Sequence, residues 1–214
     1  MVILVGDTRK NDFLINIKQL GWGRMVTTKT PKPYLDEPWG FDNGAFAAWR
    51  NKRPFPADEF LKRLDKAYHI GIPYIAVCPD IVAAGKKSLD FSLNWLEKLP
   101  ADWPWYLAIQ DGMTHNDVSP FLSKFKGIFL GGSDTFKREA LGWCKLAHLA
   151  SLKFHYGRAG IIRKIDHAIW CKADSLDSSF PLWTRKRFYN YIDIICNPKK
   201  QPRLISEGES YVIS

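Results

Sequence analysis

Short apolar runs alternate with amphipathic stretches along this 214-residue chain. Val2 to Val5, Arg24 to Thr27, Gly40 to Asp42, Tyr74 to Cys78, Trp105 to Ile109, Gly127 to Leu130, Lys153 to Tyr156 and Ile169 to Lys172 are the strand candidates. Several are apolar at consecutive positions, the pattern of parallel strands covered on both faces. Between them the period lengthens. Pro56 to Leu64 opens with proline and acids, then sets Phe60, Leu61, Leu64, Ala67 and Tyr68 on one helical face. Ser88 is placed to cap a helix bearing Phe91, Leu93, Trp95 and Leu96, and Asp134 to cap one running to about Leu149. Asn116 to Phe125, Ile161 to Ala168 and Trp183 to Cys196 read as further helices.

Strand, helix, strand in this order predicts an α/β fold, a compact (β/α)8 TIM-type barrel forming one domain over residues 1–196. Residues 197–214 read as a polar tail, packed on the barrel or partly disordered. The stretch Thr28 to Trp39, with Pro31, Pro33 and Pro38, is expected to be a long loop on the barrel rim.

Charge adds a partner class. A net charge of +9 favours a polyanion, because each phosphate contact releases counterions. Nine Trp and 13 Phe exceed what a core of this size requires, which leaves some for stacking on bases. No apolar stretch is long enough to cross a bilayer and the first residues read as a strand, so a soluble, cytoplasmic protein with no membrane partner is expected. The four cysteines, Cys78, Cys144, Cys171 and Cys196, are widely spaced and read as reduced thiols. Neither they nor the five histidines have metal-ligand spacing, so no metal and no cofactor is expected.

Function in such a barrel gathers on the loops that follow the strands. Reading the residue after each strand gives Asp7, Asp42, Asp80, Gln110, Gly131-Gly132, Gly157 and Asp174 or Asp177. A lone aspartate in that place is ordinarily a cap or a turn residue. Carboxylates at four separate strand ends form a polar ring, to which Gln110 adds an amide and Gly131-Gly132 an open backbone. His155, beside Tyr156, either faces this ring or packs behind it.

The set resembles the guanine transglycosylases, which exchange a guanine in nucleic acid for a 7-deazaguanine. Asp42-Asn43-Gly44-Ala45-Phe46 is similar to the Asp-Ser-Gly-Gly-Phe/Tyr segment of the tRNA enzymes, and Asp174-Ser175-Leu176-Asp177 to their Asp-Met-Phe-Asp segment. Pro79-Asp80 stands where the family has a base-reading Asp. Gln110-Asp111-Gly112 resembles Gln-Gly-Gly, Leu130-Gly131-Gly132 the glycine pair, and His155-Tyr156-Gly157 falls where the family has Leu-Met-Gly.

The resemblance implies a pentosyltransferase. It makes Asp177 the nucleophile at the sugar C1′, with Asp174 the alternative, and Asp42 the general acid and base. It implies that Phe46 and Tyr156 sandwich the base while Asp80, Gln110, Gly131 and Gly132 read its edge. The tRNA enzymes carry zinc-binding cysteines after the last barrel strand and large tRNA-contacting insertions. Neither has a counterpart here, so the chain looks more like the branch that modifies DNA, with a free 7-deazaguanine base as second substrate and tRNA as the alternative polymer. Lys29, Lys32, Arg50, Lys52, Arg53, Arg158, Arg185, Lys186 and Arg187 all follow strand ends and are candidates for holding the nucleic-acid backbone.

Two other classes fit the same residues. Gly157-Arg158-Ala159-Gly160 precedes a helix after the seventh strand, where barrels often bind a phosphate. A phosphosugar isomerase or lyase would use that site, with Asp42 and Asp177 as bases. A catalytically silent nucleic-acid-binding barrel would use only the stacking and the charge.

Overall fold

The computed structural model describes residues 1–26 and 37–197. Eight parallel strands close into a barrel in chain order: β1 (Val2–Gly6), β2 (Gly23–Val26), β3 (Trp39–Phe41), β4 (Ile75–Val77), β5 (Trp105–Ile109), β6 (Gly127–Leu130), β7 (Lys153–Tyr156) and β8 (Ser175–Ser178). β1 joins β8 in parallel through Val2↔Ser175 to Val5↔Ser178, so no edge is left open. The helices are α1 (Asn11–Gln19), α2 (Ala45–Arg50), α3 (Ala57–Tyr68), α4 (Lys86–Leu96), α5 (His115–Val118), α6 (Ala140–Leu149), α7 (Ile162–Trp170) and α8 (Arg185–Cys196). The chain is thus a single (β/α)8 barrel, as its alternating pattern predicts.

Alternation along each strand divides the apolar residues between two places. Ile3, Val5, Leu107, Ile128 and Phe154 point outward into the layer shared with the helices. Val2, Leu4, Met25, Ile75, Tyr106 and Phe129 fill the lumen. Where a large lumen residue occurs, its neighbour must be small. Gly127 pairs with Tyr106, and a Cβ on it would stand 2.3 Å from the Tyr106 ring.

The eighth strand lies later than its apolar signal. Ile169 to Lys172 is the end of α7 and the turn after it, and the strand is Ser175-Leu176-Asp177-Ser178. The apolar run belongs to an amphipathic helix that buries Ile165 and Ala168. The true strand carries one apolar residue because Ser175 and Asp177 face a polar part of the lumen and, of Leu176 and Ser178 on the other face, only Leu176 is apolar. Two helices had no clear period. α1 buries only Phe13 and Ile17, and α2 is six residues long and starts within the Asp42 segment, at Ala45.

Two expected caps do other work. α4 begins at Lys86, which puts Ser88 inside it with a buried hydroxyl that accepts from the Ile81 N–H. Ser133, not Asp134, takes the first amide N–H of the turn before α6, and Asp134 pairs with Lys164 at 2.7 Å. The proline-rich loop from residue 27 to 36, with Lys29 and Lys32, and the tail from residue 198 lie outside the described residues. Among the described residues, no helix is long and apolar enough to cross a membrane. Cys78, Cys144 and Cys171 are free and buried, and Cys196 is free and exposed.

Gly127→Ala forces a methyl into the Tyr106 ring within a filled lumen. The expected loss is about 2–3 kcal/mol, read as a melting temperature lower by roughly 5–10 °C.

Candidate active site at the strand ends

The same alternation that fills the lumen aims Asp42, Asp177 and Gln110 inward at the C-terminal ends of their strands. Trp39 and Phe41 face the helices, so Gly40 and Asp42 face the interior. Asp42 anchors its own turn, its Oδ1 accepting from the Gly44 N–H at 2.7 Å, while Arg63 from α3 donates to its carbonyl at 2.6 Å. Burial pushes the Asp42 carboxyl above the usual carboxylate range. The Gly44 N–H opposes this, the negative charge of Asp177 adds to it, and Arg63 and His155 oppose it further. Residues 135 positions apart in sequence therefore act on each other electrostatically.

Asp177 sits in a different setting. Its Oδ1 accepts from His155 Nε2 at 3.0 Å and from the Arg158 N–H at 3.1 Å. His155 is fully buried and stacked on Phe129, with centroids 4.8 Å apart, and its Nδ1 meets the Ser175 hydroxyl at 2.7 Å. This network fixes the ring's orientation: Nε2–H donates to the carboxylate, and Nδ1 is held by the Ser175 hydroxyl. The second carboxylate oxygen, Oδ2, has no hydrogen-bond partner among the described residues. Asp177 also lines a cleft of about 220 Å³ with Arg158, Gly160, Lys164, Ser178 and Phe180. One oxygen is held, and the other is not.

A second acidic group lies behind Asp42. Asp80 is buried, with Oδ1 accepting from Asn43 at 2.7 Å and Oδ2 from Gln110 at 3.3 Å. Burial drives its carboxyl up to about 7, against the two side-chain amides and with help from the Asp42 charge. Asn43 also donates to the Cys78 carbonyl at 2.7 Å, which ties the β3 loop to the end of β4.

Gln110 faces inward but spends its amide on the loop before α4. Its Nε2 donates to the Ile81 carbonyl at 3.0 Å and to Ser88 at 2.8 Å, and its Oε1 accepts from the Ala83 N–H. It supports Asp80 rather than presenting an edge to a ligand. Gly131 is held by its N–H to the Ile109 carbonyl at 2.9 Å, and a Cβ there would press on that carbonyl oxygen at 3.1 Å. Gly132 adopts a φ of +73°, and its carbonyl accepts from the Arg158 guanidinium.

Tyr156 does not face the site. It alternates with His155, so it points outward and is buried against α7, its hydroxyl 3.3 Å from His167 Nδ1. Phe46 does stand at the mouth, partly exposed, with the Arg158 guanidinium 4.8 Å from its ring centre. Asp174 is removed from the site altogether. It precedes β8 at the opposite end of the barrel, where it accepts from the Phe154 N–H at 2.8 Å, His148 at 2.9 Å and Lys153 at 3.1 Å. Three donors make it a structural staple, so Asp177 is the carboxylate of that segment whose charge reaches Asp42.

The basic candidates divide by what they touch. Arg50, Lys52 and Arg53 are exposed around the end of α2, and Lys186 is exposed on the first turn of α8. Arg185 pairs with Asp12 at 2.8 Å. Arg187 lies over Phe180 and Trp183, and Arg158 belongs to the cleft itself.

Lys137 escaped sequence reasoning, although it is the most unusual cation of the site. It is buried, its ammonium donates to the Gly157 carbonyl and lies 4.9 Å from the Tyr156 ring centre. Burial pulls its pKa down to about 7, Arg158 pulls the same way, and Asp177 opposes them. No spacing rule marks a lysine in a polar loop as buried.

The acid cluster opposes stability in one direction of pH. An aspartate raised in the folded state keeps a proton that the unfolded chain releases, so stability falls as pH rises from the ordinary value near 3.8 to about 7. At about 1.4 kcal/mol per pKa unit, Asp80 contributes a fall on the order of 4 kcal/mol. Asp80→Asn is expected to flatten that slope in urea unfolding measured across the same pH range, whatever it does to stability at one pH. The chain matches no protein-family model and no curated protein, so the functional argument rests on these residues and their geometry.

Proposed function

We propose that the barrel is a guanine transglycosylase, a pentosyltransferase that replaces a guanine in nucleic acid with a 7-deazaguanine, with DNA as the preferred polymer. The observation that carries the reading is the pair Asp42 and Asp177: two inward-facing carboxyl groups at the C-terminal ends of β3 and β8 that sense each other's charge, one with its pKa raised by burial and the other fixed by His155 and Arg158 with an oxygen to spare. Base exchange with a covalent intermediate needs that division of labour.

In the forward step Asp177 Oδ2 attacks C1′ and the glycosidic C1′–N bond breaks. The bonding electron pair leaves with the guanine, which takes a proton from Asp42. The incoming base then loses a proton to Asp42 and attacks C1′, releasing Asp177. His155 and the Arg158 N–H, both on Oδ1, orient the nucleophile. Phe46 covers the mouth, and Asp80, Asn43 and Gln110 form the polar floor next to Asp42. The target nucleotide must leave the base stack to reach a site at the strand ends.

One observation favours a second reading. The cleft at Asp177 is bounded by Arg158, Gly160 and Lys164 next to the start of α7, a setting that suits a phosphosugar. The two readings separate on the polymer.

Labelled guanine is expected to enter DNA, or tRNA if that is the polymer. Asp177→Asn is expected to lower incorporation by about 1,000-fold or more, because the nucleophile is lost. The covalent adduct should be trappable in the parent protein and absent from Asp177→Asn. The rate of adduct formation should fall as pH rises through the raised pKa of Asp42, since only the protonated acid assists the departing base. Asp42→Asn should remove that limb. Label in neither polymer, with turnover of a sugar phosphate instead, overturns the proposal.

A further inference from the structure

The cleft beside Asp177 is the middle of a longer strip of aromatic and basic side chains. Two of its lining residues, Arg158 and Phe180, lead outward. The Arg158 guanidinium lies 4.8 Å from the Phe46 ring centre, and Phe46 packs on Trp49 with centroids 5.7 Å apart. Phe180 meets Trp183 at 5.3 Å, and the Arg187 guanidinium covers both rings, at 4.3 and 5.1 Å.

These rings do not serve the core. Trp49 is 49% exposed and Trp183 is 63% exposed, and neither belongs to the packed layer between strands and helices. An exposed tryptophan next to an arginine offers a flat face and a cation together, which suits a base and its phosphate.

We propose that this strip is a stacking track for a single nucleic-acid strand, with one phosphodiester seated in the cleft and the flanking bases stacked on Trp49 and Trp183. Its partner class rests on the proposed function, but it requires no base exchange. Arg158 and Lys164 supply the charge in the cleft, and Ser178 and Ser179 supply hydroxyls. The carboxylate of Asp177 repels a phosphate, which confines the phosphate to those other walls and leaves the sugar next to Asp177. Lys164 pairs with Asp134, whose side chain is 60% exposed. Lys164 itself is 20% exposed, so the acid half of the pair is the one open to solvent, and a phosphate in the cleft competes with it for the ammonium. A duplex cannot use the track, because its bases already stack on one another.

A fluorescein-labelled oligothymidylate tests the track alone, since it holds no guanine to exchange. Fluorescence anisotropy is expected to show binding that weakens about tenfold in Trp49→Ala and again in Trp183→Ala, the usual scale for loss of one stacked base. Trp49→Phe and Trp183→Phe keep a ring and should retain most of the affinity, which guards against a folding defect. Lys164→Ala should weaken binding and reduce the salt slope by about one. Unchanged affinity in the double alanine variant, or equal competition by a duplex of the same length, overturns the track. Tryptophan-dependent binding with no exchange into any polymer keeps the track and overturns the catalytic reading. Exchange that is indifferent to both tryptophans overturns the track alone.

Discussion

Closure of the barrel imposes a choice on every strand residue: lumen or helical layer, with no third option. Parallel strands paired on both edges cannot rotate to hide a polar side chain, so a carboxylate at a lumen position must be accommodated where it falls. At the lower end the lumen is filled by Val2, Leu4, Tyr106 and Phe129, and the Asp174 staple lies on the rim below. At the upper end the same alternation brings in Asp42, Gln110 and Asp177. Apolar packing below provides the rigidity that lets acidic groups be crowded above. The burial that raises Asp42 and Asp80 works against folding, and the packed layers around it offset that cost.

The barrel was legible because most strands are covered on both faces and therefore apolar throughout. The exception was β8, where lumen polarity removed every second apolar residue and left Leu176 alone against the helices. The nearby Ala168-Ile169-Trp170-Cys171 gave a stronger strand-like signal, although it ends a helix whose buried face is fixed by Ile165 and Ala168. Runs this short do not distinguish a buried strand from a buried helix end.

The site was legible as a set of strand ends but not in its parity. Tyr156 and His155 are neighbours, and a single step along β7 exchanges lumen for helical layer. An aromatic residue drew the base-stacking role by resemblance, whereas the strand's geometry gives the interior to the histidine. Asp174 and Asp177 differ by a whole strand length, which separates a staple at one end from a cavity wall at the other. Lys137 and Arg63 could not be found by motif, because what singles them out is the desolvation that tertiary packing imposes.

Arg158 joins parts of the mouth that are far apart in the chain. Its backbone, at a φ of +56°, offers an N–H to Asp177, while its guanidinium reaches the Gly132 carbonyl and the face of Phe46. The loops after β3, β6 and β7 are thereby clasped by one side chain, and they cannot part independently. Any movement that parts these loops must first break the guanidinium's bond to its carbonyl. An anion drawing it away would unfasten the rim and at the same moment find its own counter-charge.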